Sequence, residues 1–228
     1  MAIKRPPSNS RGVSVKLKTA LGRTTGSQKW LMRQLNDPYV RAAKEQGRRS
    51  RAAFKLIELD DRFHLIRPGL RCVDLGAAPG GWAQVLVERG ATKVVGVDLL
   101  HVDPVPGATI LEGDFSDDAM PGLLRDLLGG KADLVLSDMA PNTTGHTETD
   151  HIRIIGLAEL ALHFAVEVLA PGGAFVAKVF QGGTERTLLD QLKQRFATVR
   201  HAKPPASRKE SSELYVVATG FRPPAPNP

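Results

Sequence analysis

Apolar and polar positions along the chain fall into short blocks whose periods differ. Over 50–66, Ala53, Phe54, Ile57, Leu59 and Phe63 form an apolar stripe at helical spacing, and Pro68-Gly69 closes the segment. An alternation then begins. A short apolar strand is predicted over 70–75, followed by a Gly-rich turn and a helix over 81–89. Strands are predicted over 93–99 and 108–112, a helix over 117–128 and a strand over 132–137. A long helix over 152–169 stops at Pro171-Gly172-Gly173, and a fifth strand covers 174–180. A helix over 184–196 precedes two final strands, 201–203 and 214–219.

Strand–helix alternation with strands apolar on both faces predicts an α/β fold: a doubly wound, mostly parallel sheet with helices on both faces. Residues 30–48 read as partly helical, and no internal repeat is visible. Residues 1–29, rich in Gly, Ser, Pro, Lys and Arg without a period, read as a flexible basic arm. The expected domain is 30–221, and the Pro-rich tail 222–228 cannot enter a sheet interior.

Composition narrows the class. Hydrophobic residues make up 42% and charged residues 24% of 228 positions, an ordinary globular mix that suits one domain. No run approaches roughly 18 apolar residues, so no membrane span is expected. The single cysteine, Cys72, cannot form an intrachain disulfide, and the opening Met-Ala-Ile-Lys-Arg-Pro-Pro lacks the apolar core of a secretory signal. A reducing, cytoplasmic setting is therefore expected. His146 and His151 sit five apart in a polar loop without metal-ligand spacing, so no metal is expected.

Charge alters the picture more. The formal net charge is +7, yet residues 1–55 hold 14 Lys and Arg against Asp37 and Glu45. The rest of the chain is net acidic. A basic first quarter attracts phosphates and releases counterions on binding, or it serves only as a solvated arm. An anionic membrane surface fits less well, because 1–29 show no apolar helical face.

Ligands of doubly wound sheets sit beyond the carboxyl ends of the strands, which directs attention to the loops there. Val73-Asp74-Leu75-Gly76-Ala77-Ala78-Pro79-Gly80-Gly81-Trp82 closes the first strand and opens a helix whose first N–H groups are free. Asp98 ends the next strand, placed for a ribose diol, and Asp114 follows the third, placed for an adenine amino group. The loop departs from the G-x-G-x-x-G spacing of NAD sites and no Walker lysine follows, so the pocket described is that of a nucleoside without a phosphate cradle. S-adenosylmethionine fits that description. A structural strand–turn–helix would account for Gly76 but not for two later acids at strand ends.

Further blocks carry a specific resemblance. Arg49-Ser50-Arg51-Ala52-Ala53-Phe54-Lys55-Leu56, the Gly-rich loop, Ser137-Asp138-Met139-Ala140-Pro141-Asn142, Lys178-Val179-Phe180-Gln181-Gly182 and Glu213-Leu214-Tyr215-Val216-Val217-Ala218-Thr219-Gly220 resemble, in order, the FtsJ/RrmJ family. The likeness runs from about Trp30 to Phe221. It implies a Rossmann-like class I S-adenosylmethionine-dependent methyltransferase fold with a seven-stranded sheet, and ribose 2′-O-methylation of RNA. Within the family the likeness points to bacterial single-domain members that methylate a uridine ribose in the A loop of 23S ribosomal RNA. The implied partner is 23S ribosomal RNA or the large ribosomal subunit; as one compact domain the chain is expected to act alone, as a monomer. Carried over by motif, the catalytic set is Lys55, Asp138, Lys178 and Glu213, and the cofactor contacts are Gly80, Trp82, Asp98, Asp114 and Asp138.

The chemistry needs such a set. A ribose hydroxyl is a weak nucleophile, and a lysine amine within reach can take its proton. Lys178 is the candidate, with Asp138 orienting it and Lys55 and Glu213 holding the hydroxyl. A charged Lys178 that only steers an oxygen lone pair is the alternative. Each residue also has a duller reading: Lys55 as a phosphate contact, Glu213 as an edge charge, Asp138 as a turn cap, Trp82 as core. Arg48, Arg49 and Arg51 are the candidate RNA-binding surface, beside the arm. A tRNA-directed methyltransferase and a non-catalytic RNA-binding assembly factor are the competing functions.

Overall fold

The structure is a computed structural model; it describes residues 24–141, 144–181 and 186–224, without the side chains of Thr25, Lys29, Trp30 and Thr147. Most of the arm, Asn142, Gly182 and the end of the tail thus lie outside the described residues.

Three helices come first: α1 (Thr25–Asn36), α2 (Pro38–Glu45) and α3 (Ala52–Phe63). Asp37 ends α1 and caps α2 by accepting the Tyr39 N–H at 2.9 Å, with Pro38 fitted at the first helical turn. The helix α1 starts at Thr25, capped by the Thr24 hydroxyl oxygen, inside the stretch expected to be arm. That cap is a Thr in a Gly- and Ser-rich run, a signal composition alone hides.

The sheet follows: β1 (Arg71–Leu75), α4 (Gly81–Glu88), β2 (Lys93–Asp98), β3 (Ala108–Glu112), α5 (Met120–Leu128), β4 (Ala132–Ser137), α6 (Thr147–Val168), β5 (Leu169–Phe180), α7 (Arg186–Arg195), β6 (Phe196–Ala202) and β7 (Glu213–Phe221). Its order is β3-β2-β1-β4-β5-β7-β6, parallel except for β7, which runs antiparallel between β5 and β6. The expected mostly parallel, seven-stranded doubly wound sheet is what forms.

Period two along the strands sorts side chains between two cores. Val73, Val135, Phe175, Ala177 and Val216 face α5, α6 and α7. Cys72, Leu134, Leu136, Val176, Tyr215 and Val217 face α3 and α4. Extending that parity to the carboxyl rim places Asp138, Lys178 and Glu213 on the α3 side, the side from which Lys55 comes.

Several boundaries differ from expectation, α6 starting at Thr147 rather than 152 among them, and two of the differences shape the sheet. Pro171-Gly172-Gly173 does not merely separate α6 from a strand. Leu169 already pairs with Ala132, and the Pro-Gly-Gly residues form a bulge before Ala174 pairs with Leu134. Phe196, expected to end a helix, instead begins β6 opposite Phe221, its ring 5.3 Å from that of Phe221 and 6.3 Å from that of Phe175. The strand β6 is an edge, with exposed polar residues between its buried ends, so it lacks the apolar run of an interior strand.

Gly76, at φ +80, shows where the backbone is tightest: a Cβ there would lie 2.7 Å from Met139 N. Gly69 shares the left-handed φ, at +92, but has open space around it. Gly69→Ala should therefore cost only the backbone term, about 1–2 kcal/mol. Gly76→Ala should cost more, because the loop after β4 must also move. Urea unfolding of both variants checks the ranking; equal losses would contradict it.

Candidate active site

Six side chains form one connected chain of contacts at the carboxyl rim of β4, β5 and β7. Ser207 donates to Glu213 Oε1 at 2.6 Å, and Glu213 Oε2 accepts from Lys55 Nζ at 2.7 Å. Lys55 Nζ also donates to the Tyr215 hydroxyl oxygen at 3.1 Å and lies 3.8 Å from Asp138 Oδ2. The Tyr215 hydroxyl donates to Asp138 Oδ1 at 2.6 Å, and that same oxygen is 2.9 Å from Lys178 Nζ. Lys178 further donates to the Asp138 backbone oxygen at 2.7 Å. The four expected residues are thus brought together, drawn from α3, the end of β4, β5 and the start of β7.

Register explains the convergence. Lys178 pairs with Tyr215 and Phe180 with Glu213 across the antiparallel β5–β7 ladder. Lys55 and Lys178 are each only 9% exposed, so their charges require partners. Two ammonium and two carboxylate groups balance. Burial pushes the Asp138 carboxyl up, but Lys178 and Lys55, aided by the Tyr215 hydroxyl, hold it below the usual carboxylate range. Burial, then the charges of Asp138 and Glu213, raises the Tyr215 phenol well above its ordinary value, so it stays a donor.

Sequence reasoning missed two members of this set, Ser207 and, more centrally, Tyr215. It sits two residues from Glu213 on the same face of β7, and that spacing was the available signal. Its ring lies 5.8 Å from that of Trp82, and Trp82 Nε1 donates to the Ala52 carbonyl at 2.8 Å. Trp82 is a core residue behind the loop, tying α4 to α3 and backing Tyr215, rather than an open pocket wall.

The other half of the rim lies over β1, β2 and β3. Gly80 takes φ +93, and a Cβ there would meet Val105 at 2.8 Å. Asp98 accepts the Ala78 N–H at 2.8 Å and the Leu100 N–H at 2.9 Å, one on each carboxylate oxygen. Asp114 accepts from both the Ser116 N–H and hydroxyl through Oδ1, and these bonds lower its pKa. Leu99 and Leu100, each 67% exposed, leave apolar surface beside Asp98.

Arg48, Arg49 and Arg51 take a different part from the one expected. Arg48 is paired with Glu88. Arg49 donates to the carbonyls of Asp103, at 2.8 Å, and of Pro104, fastening that loop beside the Gly-rich turn. Arg51 sits 3.2 Å from Asp37 and donates to the Ala206 carbonyl. These guanidinium groups clamp the α2–α3 turn to its surroundings, and Arg51 also borders a cavity. Close to them, Arg33, Arg51, Lys55, Arg208, Glu210, Ser211 and Glu213 line a cavity of about 410 Å³ that opens onto the Lys55–Glu213 pair.

Asp74 is fully buried, and neither of its carboxylate oxygens makes a full hydrogen bond. Burial, with Asp138 and Asp98 adding to it, pushes its pKa up to about 8, and the Ala83 N–H relieves this only in part. The folded state therefore holds a proton that the unfolded chain releases near pH 4. Stability should fall as pH rises from about 4 to about 8, by up to about 1.4 kcal/mol per pH unit from this group. Asp74→Asn should be more stable than the parent at pH 8, with the gap closing toward pH 4. Thermal or urea unfolding across that range checks it; parallel curves would contradict it.

Comparison with known proteins agrees with this geometry. Residues 48–221 match the model of the FtsJ-like methyltransferase family. The chain is 73% identical to the ribosomal RNA large subunit methyltransferase E of Granulibacter bethesdensis, over 96% of this chain and 95% of that protein. It is 66% identical to the protein of that name from Paramagnetospirillum magneticum, over 95% and 92% of the two chains. A crystal structure from Plasmodium falciparum, described as a ribosomal RNA methyltransferase, is 32% identical, with a TM-score of 0.69 over 76% of this chain and 98% of that one. With the family model spanning both halves of the rim and these relatives spanning nearly the whole sequence, the chain belongs to the FtsJ-like methyltransferase family.

Proposed function

We propose that this chain is an S-adenosylmethionine-dependent ribose 2′-O-methyltransferase acting on a uridine in the A loop of 23S ribosomal RNA. The observation that carries the reading is the Lys178–Asp138 contact inside the Lys55–Tyr215–Glu213 set. The names of the bacterial relatives support the ribosomal substrate.

The residues over β1–β3 fit the donor. Gly76 and Gly80 leave no room for a side chain where the loop turns, so the backbone itself forms that wall. Asp98 uses one acceptor position on each oxygen and keeps others for a ribose diol. Asp114 Oδ2 keeps its acceptor capacity for an amino group, since both Ser116 bonds go to Oδ1. When bound, S-adenosylmethionine supplies a methyl group made electrophilic by its sulfonium.

The rest of the chemistry belongs to the protein. Lys178 Nζ donates to two acceptors of one residue, Asp138 Oδ1 and the Asp138 backbone oxygen. Once its ammonium has released one proton to solvent, the amine commits both remaining N–H bonds to these acceptors, which leaves its lone pair to take the proton from a 2′-hydroxyl. The ammonium so formed is met by Asp138, which stays ionised because Lys178 and Lys55 oppose the effect of burial. Lys55, held by Glu213 and Tyr215, adds a fixed positive charge within the set and positions the hydroxyl.

Lys178→Ala should lower methyl transfer by ~10²–10⁴-fold while S-adenosylmethionine binding, measured by calorimetry, is unchanged. Lys178→Arg separates the two roles open to this lysine. Arginine keeps the charge but cannot accept a proton, so proton removal predicts an equal loss and charge steering predicts retained activity. Labelled methyl transfer to large ribosomal subunits, with mapping of the modified nucleotide, reads both substitutions. Near-normal turnover of Lys178→Ala would refute the catalytic role, and a label mapped to a base or to tRNA would refute the substrate.

A further inference from the structure

Four cationic and two acidic side chains line the cavity beside Lys55, which leaves it an excess of positive charge. It is built from two directions. Arg33 comes from α1, and Arg208 from the segment between β6 and β7. That segment is anchored tightly. Ala206 N–H donates to Glu58 Oε2 at 2.6 Å, the Ala206 carbonyl accepts from Arg51, and Lys203 Nζ donates to the Ser211 carbonyl at 2.6 Å. Ser207, next to Arg208, donates to Glu213 of the lysine–carboxylate set. The position of Arg208 is thus fixed one residue from the active groups.

Its own partner is weakly held. Arg208 Nε lies 3.6 Å from Asp37 Oδ2, the oxygen that Arg51 Nε approaches at 3.2 Å. One carboxylate oxygen serves two guanidinium groups, and the nearer is Arg51. The other oxygen of Asp37 caps α2 through the Tyr39 and Val40 N–H groups. Arg208 is one-quarter exposed at the mouth of the cavity, at 26%. An Asp carboxylate shared this way occupies the place that a second anion, with oxygens of its own, would fill better.

We propose that this cleft receives a backbone phosphate of the RNA next to the target ribose, gripped by Arg208 and Arg33, and that Asp37 is its placeholder in the free protein. The inference rests on the ribose-methyltransferase reading. The cleft opens onto Lys55 and Glu213, so an anion seated there is joined to a sugar that reaches the lysine–carboxylate set. A phosphodiester attached to the reacting nucleotide satisfies both demands with one molecule. On binding, Arg208 exchanges Asp37 for phosphate, and Asp37 remains with Arg51 and the α2 cap.

The test uses the full chain and an unmodified 23S ribosomal RNA transcript, with affinity measured over a series of KCl concentrations. Arg208→Ala should weaken binding about tenfold, as loss of one charge-assisted contact does, and reduce the slope of log affinity against log salt by about one. Arg208→Lys should keep the slope. Asp37→Asn removes the competing charge yet still caps α2, so it should bind RNA at least as tightly as the parent. In methyl transfer, Arg208→Ala should raise KM with kcat little changed, and calorimetry should show unaltered S-adenosylmethionine binding. An Arg208→Ala enzyme that keeps parental affinity, slope and KM would overturn the phosphate site while leaving the methyltransferase reading intact. An Asp37→Asn loss as large as that of Arg208→Ala would overturn the placeholder. If the parent binds the transcript with the expected salt slope but transfers no methyl group either to it or to large ribosomal subunits, the enzymatic reading fails instead.

Discussion

Asp138 holds the active rim together. Its Oδ1 accepts from Tyr215 and Lys178, its Oδ2 faces Lys55, and its backbone oxygen takes a second bond from Lys178. Taking two ammonium groups out of water costs several kcal/mol each unless paired charges and hydrogen bonds offset it. Here the offset is mutual: Lys55 has Glu213 and Tyr215, Lys178 has both ends of Asp138, and Ser207 completes Glu213. Such a cluster is expensive to assemble by chance, because β4, β5 and β7 must end with matching side-chain parity. The antiparallel insertion of β7 achieves this by bringing the start of one strand against the end of another.

The same sheet explains why the two halves of the rim differ. Strand order reverses between β1 and β4, and the loops after those strands diverge there. Gly76 and Met139 touch at that parting, closely enough that a single Cβ would not fit. On one side, Asp98 and Asp114 present acceptors at strand ends. On the other, the charged set is arranged around a proton-bearing nitrogen. Asp74 lies inside the junction, buried near Asp138 and Asp98, and is the one acid of the rim whose partners are inadequate. The four acids at adjacent strand ends are accommodated by separate means: lysines beside Asp138, backbone N–H donors on Asp98, Ser116 on the exposed Asp114, and a retained proton on Asp74.

Much of this was legible in the sequence because the informative signals were local. Five apolar strands with interposed helices announced the sheet, and β3 and β4 fell at their expected boundaries. The motif around Lys55, Asp138, Lys178 and Glu213 is dense enough to name the site. What escaped depends on distant pairing. Phe196 packs on Phe221 and Phe175, a fact of tertiary structure that overrides a helical pattern running up to it. Leu169 joins β5 because Ala132 awaits it, although Pro-Gly-Gly reads as a break. Tyr215 shares a face of β7 with Glu213, but the use of its hydroxyl follows from its cross-strand neighbour Lys178.

The arginines make the same point about charge. Lysine and arginine density in residues 1–55 marks a basic region, but density says nothing about which guanidinium group lacks a strong partner. Arg48, Arg49 and Arg51 stand together in sequence and each finds protein acceptors: Glu88, the carbonyls of Asp103 and Pro104, Asp37 and the Ala206 carbonyl. Arg208 lies far from them in sequence and shares its acid with a nearer rival. Binding capacity for an anion follows the local ratio of donors to acceptors, not the composition of the segment. By that measure the groove beside Lys55 is the better-founded phosphate site, and it is assembled by chain segments that only the fold brings together.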